Sequence, residues 1–406
     1  MSSPDEVPTP TYYSPSAATI AGNQDLITPI LIRLPTKSLV RFKSVSKQWR
    51  SLISSHHFSL FHFTQNHKCN GLFLLAPDYK IRYKLLSLQT HQDSSSNPSY
   101  FSLNLDNALL GIQILQSCCG LLLCSSTNVT FENPNYYVCN PVTKKYKCLP
   151  PQPNLWTPAA EEAIFWFVLA FDPFRSVNNY RVVCLRVHNY AMIEVVDSIW
   201  IYNSVMGNWR AVSDDPFQVP STVMFSKGVY WNGTILWPNI KKVDVSSCDI
   251  QELLCYDIDP EIFRMIPMPP VEGKTNFAEC EYFGESCGHL HLVYKHKSGE
   301  FDVFEMERDY SKWVLKFHFD SRNLNFMSEN QPSPLLVLNL VSGMDEGESY
   351  LLLSESGRII CCKFWDGRVK EVSETPDGAI DNVLLEHYWC SSINYHQYME
   401  TLFLPG

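Results

Sequence analysis

A chain of 406 residues, 45% hydrophobic and 18% charged, can bury one large core or two, which excludes general disorder. Its longest purely apolar stretch, around Ala163 to Phe171, falls well short of the about 20 residues of a spanning helix, so no membrane partner is expected. Net charge −10 argues against a body that wraps nucleic acid.

In chain order, residues 1–22 carry Pro4, Pro8, Pro10 and Pro15 among Ser and Thr, and read as a disordered tail with no secretory signal. Residues 26–60 then hold Arg33, Lys37, Arg41, Lys43, Lys47 and Arg50 and no acidic side chain, while the other 371 residues carry −16. Such a division suggests two contact surfaces with different jobs. Leu26, Ile27, Ile30, Leu31 and Leu34 fall at spacings that make one helical face. Val45, Trp49, Leu52 and Ile53 make a second stripe, and Pro35 breaks the chain before a middle helix that starts near Lys37. Three short helices are expected. Pro29 is tolerated at a first helical position, so Thr28 is the expected cap of the first of them.

From Gly71 onward, short runs of Leu, Val, Ile and aromatic residues alternate with turn residues, which predicts an all-β body. One theme recurs, a strand ending in an aromatic residue and Asn or Asp, then Trp or Leu-Pro. It runs Tyr137 to Asn140 with Leu149-Pro150, Trp200 to Asn203 with Trp209, and Leu254 to Asp257 with Ile266-Pro267. Weaker copies are Phe301 to Phe304 with Trp313 and Ile359 to Cys362 with Val369. With the strands near Gly71 and Tyr83 these make about six units. A lone four-stranded sheet cannot bury both faces, so about six stacked around an axis, a β-propeller, are expected, with an open sandwich as the alternative.

Asp25 to Ile53, with its run Arg33-Leu34-Pro35-Thr36-Lys37-Ser38-Leu39-Val40-Arg41-Phe42-Lys43 and then Lys47-Gln48-Trp49-Arg50-Ser51-Leu52-Ile53, resembles the F-box of plant-type F-box proteins. Ser117 to Leu123, Asn140 to Thr143, Phe171-Asp172-Pro173 before Tyr180 to Val183, and Gly228 to Gly233 resemble the F-box-associated domain of the same family. The sequence departs from the family's box at Gly22-Asn23, where Leu-Pro is usual, and at Pro29, where an acid is preferred. The organisation expected is a tail over 1–22, a three-helix F-box over 23–62 and a propeller-like, mainly β body over 63–406.

The resemblance implies the substrate receptor of a Skp, cullin and F-box ubiquitin ligase, without catalysis of its own. Leu26, Ile30, Leu31, Leu34, Pro35, Val45 and Trp49 would form or support the face that docks on a Skp-type adaptor, with Lys43, Lys47 and Arg50 near an acidic adaptor surface. The body would capture a protein target that the sequence does not identify. Independently, three helices of this size bury too little apolar surface to be stable alone and can complete their core on a partner. The rivals are a non-ligase interaction propeller with a degenerate F-box and, further off, a propeller enzyme.

Fourteen cysteines in apolar runs, without small-domain spacing, read as reduced thiols of the cytosol or nucleus. Asn128 and Asn232 fit the glycan acceptor pattern, which acts only in the secretory route. Gly284-Glu285-Ser286-Cys287-Gly288 matches a nucleophile elbow, but a strand rather than a helix follows, so it reads as a turn. Cys287, His289 and His291 alternate as zinc ligands on one strand face do, with Cys280 near, yet no fourth ligand has a suitable spacing. No cofactor and no metal are expected.

Overall fold

A computed structural model describes residues 20, 22–76, 81–88, 100–101, 111–126, 134–152, 163–190, 193–213, 217–220, 223, 228–242, 248–269, 278–296, 298–321, 335–342, 349–355, 358–364, 369–374 and 395–406. Apart from Ile20 and Gly22, the expected tail lies outside them, as does Asn128. The chain divides into two compact units, Met1–Asn66 and His67–Gly406.

The first unit is helical. The three expected helices are α1 (Gln24–Leu31), α2 (Thr36–Phe42) and α3 (Lys47–Ile53), and a fourth, α4 (His56–Asn66), follows them. Among the described residues the unit thus has at least one helix more than the three expected. The buried face of α4 is Phe58, Ser59, His62 and Phe63, half of it polar, so no apolar stripe marked the helix. His62 Nε2 lies 2.9 Å from the Leu34 carbonyl oxygen, and Asn66 Nδ2 donates to the Ile32 carbonyl. The polar residues of α4 therefore satisfy carbonyls left open where α1 ends.

The start of α1 is a second correction. Thr28 is not the cap: Asn23 is, its Oδ1 accepting from the Asp25 N–H at 2.9 Å, and the helix runs through Pro29. Asn caps better than Thr, and Asp25 in the first turn complements the helix dipole. Pro29 forfeits one backbone bond. Thr28 Oγ1 donates to the Gln24 carbonyl at 2.7 Å, and the Ile32 N–H closes on Thr28 beyond the proline.

The second unit is a six-bladed propeller of antiparallel sheets among the described residues. Blade 1 takes β1 (Gly71–Ala76), β2 (Arg82–Ser87) and β3 (Tyr100–Phe101). Blade 2 is β4 (Ile112–Cys118), β5 (Leu121–Ser126), β6 (Tyr136–Asn140) and β7 (Lys145–Cys148). Blade 3 is β8 (Ala163–Phe171), β9 (Tyr180–Tyr190), β10 (Ile193–Asn203) and β11 (Asn208–Ser213), with β12 (Phe217–Pro220) added beside β10. Blade 4 is β13 (Val229–Trp231), β14 (Thr234–Lys242), β15 (Cys248–Asp257) and β16 (Ile262–Pro267). Blade 5 is β17 (Ala278–Ser286), β18 (His289–His296), β19 (Glu300–Met306) and β20 (Trp313–Asp320). Blade 6 is β21 (Leu336–Val341), β22 (Tyr350–Glu355), β23 (Arg358–Lys363) and β24 (Val369–Glu374). Blade 1 is completed from the far end of the chain by β25 (Tyr395–Tyr398), in the order β25-β1-β2-β3, so the ring is closed by strand exchange between its two ends.

The theme seen in the sequence is the third strand of a blade and its turn into the fourth. Asn140 and Asn203 end such strands because Oδ1 accepts two N–H groups of the turn, from Val142 and Thr143 and from Val205 and Met206. The first turn of blades 2, 4 and 5 is a two-residue hairpin with both residues at positive φ: Cys119-Gly120, Asn232-Gly233 and Cys287-Gly288.

The core lies between successive blades. Trp237, Ile235 and Tyr256 of blade 4 pack with Val183, Leu185 and Ile201 of blade 3, and comparable clusters join blades 4 to 5, 5 to 6 and 6 to 1. Blades 4, 5 and 6 thus have both faces covered by neighbours, which is how four-strand sheets become stable together.

Beyond β25 the chain latches onto blades 2 and 3. Asn140 Nδ2 donates to the Thr401 carbonyl (3.1 Å), Thr401 Oγ1 (3.1 Å) and the Phe403 carbonyl (2.8 Å). Tyr180 OH donates to the Pro405 carbonyl at 2.8 Å, and the Phe403 ring meets Phe171 edge to face at 5.2 Å. The approach is close: a Cβ at Gly120 would lie 2.5 Å from Thr401 Cγ2.

Candidate docking faces

Helix α1 is apolar on two sides. Ile27 and Leu31, one turn apart, are buried, while Leu26 and Ile30, also one turn apart, are 48% and 50% exposed. The single face read from the sequence is therefore two faces about 100° apart, one inside the unit and one outside. In α3 the stripe is likewise divided: Leu52 and Ile53 are buried, Trp49 is half-buried against the Phe42 ring at 5.7 Å, and Val45 is 60% exposed.

Capping and a long-range bond set the frame. The Trp49 N–H donates to Ser46 Oγ at 3.0 Å, and Gln48 Nε2 donates to the Gly22 carbonyl at 2.8 Å, which brings the start of α3 to the start of α1. Of the basic residues, Lys47 and Arg50 are exposed and Lys43 is half-buried, with burial pulling its ammonium below the usual range. Arg50 Nε also donates to the Lys43 carbonyl at 3.2 Å. Pro35 is exposed and Leu34 half-buried. Leu31 is interior and can only support the face. Phe61 on α4 and Ile20, 42% and 41% exposed, were not anticipated.

In the propeller, the nucleophile-elbow pattern is the hairpin between β17 and β18. Ser286 is buried and its Oγ accepts from the Ser342 N–H at 3.1 Å, so it joins blades 5 and 6. Glu285 Oε1 accepts from the Gly288 N–H, and burial pushes this carboxyl up against that bond. Gly288 is the second positive-φ residue of the turn. Cys287 and the two histidines do not converge: Cys287 Sγ points at the His67 carbonyl at 3.6 Å, whereas His289 and His291 turn to Glu305.

Glu305 is the residue that sequence reasoning missed. Its oxygens lie 2.9 Å from His289 Nδ1, 3.7 Å from His291 Nε2 and 3.5 Å from Lys316 Nζ. Burial pushes its carboxyl up, and the contacts from His289, His291 and Lys316 outweigh that and hold it below the usual range. His291 is nearly inaccessible, and burial draws its imidazole down to about 4 against the pull of Glu305. Asp302, three residues before, sits similarly between His296 Nε2 (2.7 Å) and His318 Nδ1 (2.6 Å). Strand register makes these clusters, so no local pattern announced them. Among the described residues no group of three or more His, Cys, Asp or Glu is placed to hold a metal ion.

Twelve cysteines are free thiols, and Cys124 and Cys139 have their sulfurs 3.8 Å apart inside blade 2. No described helix is long and apolar enough to cross a membrane.

Comparison with known proteins assigns both units. The F-box domain matches residues 23–61, and the F-box associated beta propeller domain matches residues 59–334. The chain belongs to the F-box proteins with an F-box-associated propeller. Its relatives in this F-box family include an F-box protein of Arabidopsis thaliana, 31% identical over 392 residues, covering 89% of this chain and 88% of that one. An F-box/kelch-repeat protein of the same plant is 28% identical, covering 70% of this chain and 74% of its own. The propeller domain of the trilobed protease from Pyrococcus furiosus overlaps 76% of this chain and 98% of that one at TM-score 0.34 and 9% identity, too loosely to bear on the assignment.

Proposed function

We propose that this F-box protein is the substrate-recognition subunit of a Skp, cullin and F-box ubiquitin ligase. Its helical unit docks on a Skp-type adaptor, and through it on the cullin, while the propeller holds a protein target. The observation that carries the reading is the outward apolar stripe of Leu26 and Ile30, with Val45 also exposed, in a unit whose own core is already made by Ile27, Leu31, Leu39, Leu52 and Ile53. An i, i+4 pair of exposed aliphatic side chains is the signature of a helix that finishes its packing on another protein. Lys47 and Arg50, exposed on α3, add positive charge to the same unit for an acidic partner, which favours the rate of encounter more than the affinity.

The chain performs no bond chemistry in this scheme. It replaces a dilute encounter between target and activated ubiquitin by a tethered one, at an effective concentration on the order of millimolar. The free, mostly buried thiols support residence in the reducing cytosol or nucleus, and neither nucleic acid nor membrane takes part.

The test is capture of the full chain by an immobilised Skp-type adaptor. Wild type should bind, and Leu26→Asp with Ile30→Asp should lose binding at least tenfold while keeping the melting profile. Absence of wild-type binding, or equal binding by the double variant, overturns the docking reading and leaves a non-ligase interaction propeller.

A further inference from the structure

The outer strand of blade 2 differs from the other outer strands. Among the described residues β7 pairs only with β6, so no described strand takes up the backbone N–H and C=O groups of its far edge. Lys144, Lys145, Tyr146, Lys147 and Cys148 are all exposed. None of the three lysines forms an ion pair with a described residue, and no carboxylate occurs in the strand. On three other outer strands the cations are matched: Arg210 of β11 with Glu261, Arg264 of β16 with Asp257 at 2.8 Å, and Lys316 of β20 with Glu305 at 3.5 Å. β24 carries one lysine, Lys370, next to its own acid Glu371. On a chain of net charge −10, β7 and the turn that enters it carry three cations with no ion pair to a described residue.

We propose that β7 is the docking edge for an extended acidic segment of a partner protein, which adds to blade 2 as a fifth strand. Backbone bonds to the free edge supply the geometry, and the lysines select the sequence. Lys145 and Lys147 stand on one face of the strand about 6.6 Å apart, the spacing at which alternate acidic residues of an added strand place their carboxylates. Tyr146, on the opposite face and packed edge to face on Tyr137 at 6.1 Å, offers an aromatic contact there.

Lysines on an edge also repel a second copy of the same strand. That property and the proposed one are a single charge rule: like edges are refused and an acidic one is accepted. A nucleic acid fits less well, since a chain of isoelectric point about 5.6 repels a long polyanion beyond the patch, whereas a short peptide need meet only the edge. The receptor reading is needed only to identify this partner as the ubiquitylation target; edge binding itself does not depend on it.

The probes are three fluorescent twelve-residue peptides: one alternating Glu with Val and Thr, one with Gln for each Glu, and the acidic one methylated at alternate backbone nitrogens. Measured on the full chain by anisotropy, the acidic peptide should bind at least tenfold more tightly than either of the others. Lys144→Glu, Lys145→Glu and Lys147→Glu together should abolish this binding, and Arg at all three should retain it. The bound peptide should also protect Cys148, an exposed thiol of β7, from alkylation read by mass spectrometry. Equal binding by the triple Glu variant overturns the proposal. So does equal binding of the methylated peptide, which would make the edge a charge patch alone. A third overturning result is failure of the acidic peptide while an oligothymidylate or phosphatidylserine vesicles bind through the same lysines. The triple Glu variant should be captured by the adaptor as wild type is, so failure here and failure of the docking reading are separately visible.

Discussion

The helical unit and the propeller solve opposite problems with the same aliphatic residues. In the propeller blades 3 to 6 and blade 1 cover one another in sequence, and Leu121, Leu290 and Leu351 of blades 2, 5 and 6 are wholly inaccessible. In α1 the helix has more greasy surface than its neighbours can cover, so Leu26 and Ile30 stay outside. Apolar surface left over after a core is complete marks where another molecule is expected. The propeller also leaves apolar side chains outside, but Phe174, Val205 and Met206, its most exposed ones, lie on turns between strands rather than along one face of a helix.

Removing residues 395–406 should break the contrast most severely. It strips blade 1 of its inner strand and blades 2 and 3 of the latch, and should cost a large part of the about 5–15 kcal/mol that holds a domain folded. The cooperative melt of the propeller should vanish while hydrogen exchange over α1 to α4 stays protected. Next, Leu31→Ala should cost about 2–5 kcal/mol in the helical unit, as core truncations do, whereas Leu26→Ala should stay within about 0.5 kcal/mol. Equal losses in chemical denaturation would erase the two-faced description of α1. Asn140→Ala leaves the Thr401 and Phe403 carbonyls without their donor and should cost roughly 2–3 kcal/mol, seen as a lower melting temperature of the propeller alone.

Acid should act on the propeller through blade 5. The folded-state pKa of His291, about 4, lies below its unfolded value of 6.5, so between these limits the unfolded chain binds more protons and stability falls as pH falls. Glu305, held below its usual range, adds stability that is lost in the same direction below pH 4.5. Between pH 7.5 and 5 the His291 contribution is about 2 kcal/mol, and His291→Phe should flatten the dependence of denaturation midpoint on pH in that window. Smallest of all, Arg210→Ala at the exposed Glu261 pair should change stability by less than about 1 kcal/mol.

Much of this was readable along the chain because its causes are local. The third strands of blades 2, 3 and 4 end in Asn140, Asn203 and Asp257, the two asparagines organise the turn that follows, and about six units built on this theme are a count of blades. Gly120, Gly233 and Gly288 are visible for the same reason, because two-residue hairpins need positive φ. What stayed hidden has distant causes. The Glu400 N–H meets Asn70 across 330 positions, and no spacing in the sequence foretells such a contact or the pairing of β25 with β1 beside it. Glu305 acquires its histidines by register, not by neighbourhood. In α1, Leu26 and Ile27 were assigned to one face because both are apolar. Only the packing separates residues 100° apart on a helix.

The closing strand also fixes a timetable. A ribosome makes β1 early and β25 more than three hundred residues later, so throughout translation the inner edge of blade 1, with Leu72 and Phe73 beside it, waits for a partner that does not yet exist. Folding of the ring is thus a late event, and a nascent chain halted before residue 395 presents a bare edge to chaperones and proteases. A finished ring and an interrupted one thus differ by one strand edge, paired in the first and bare in the second.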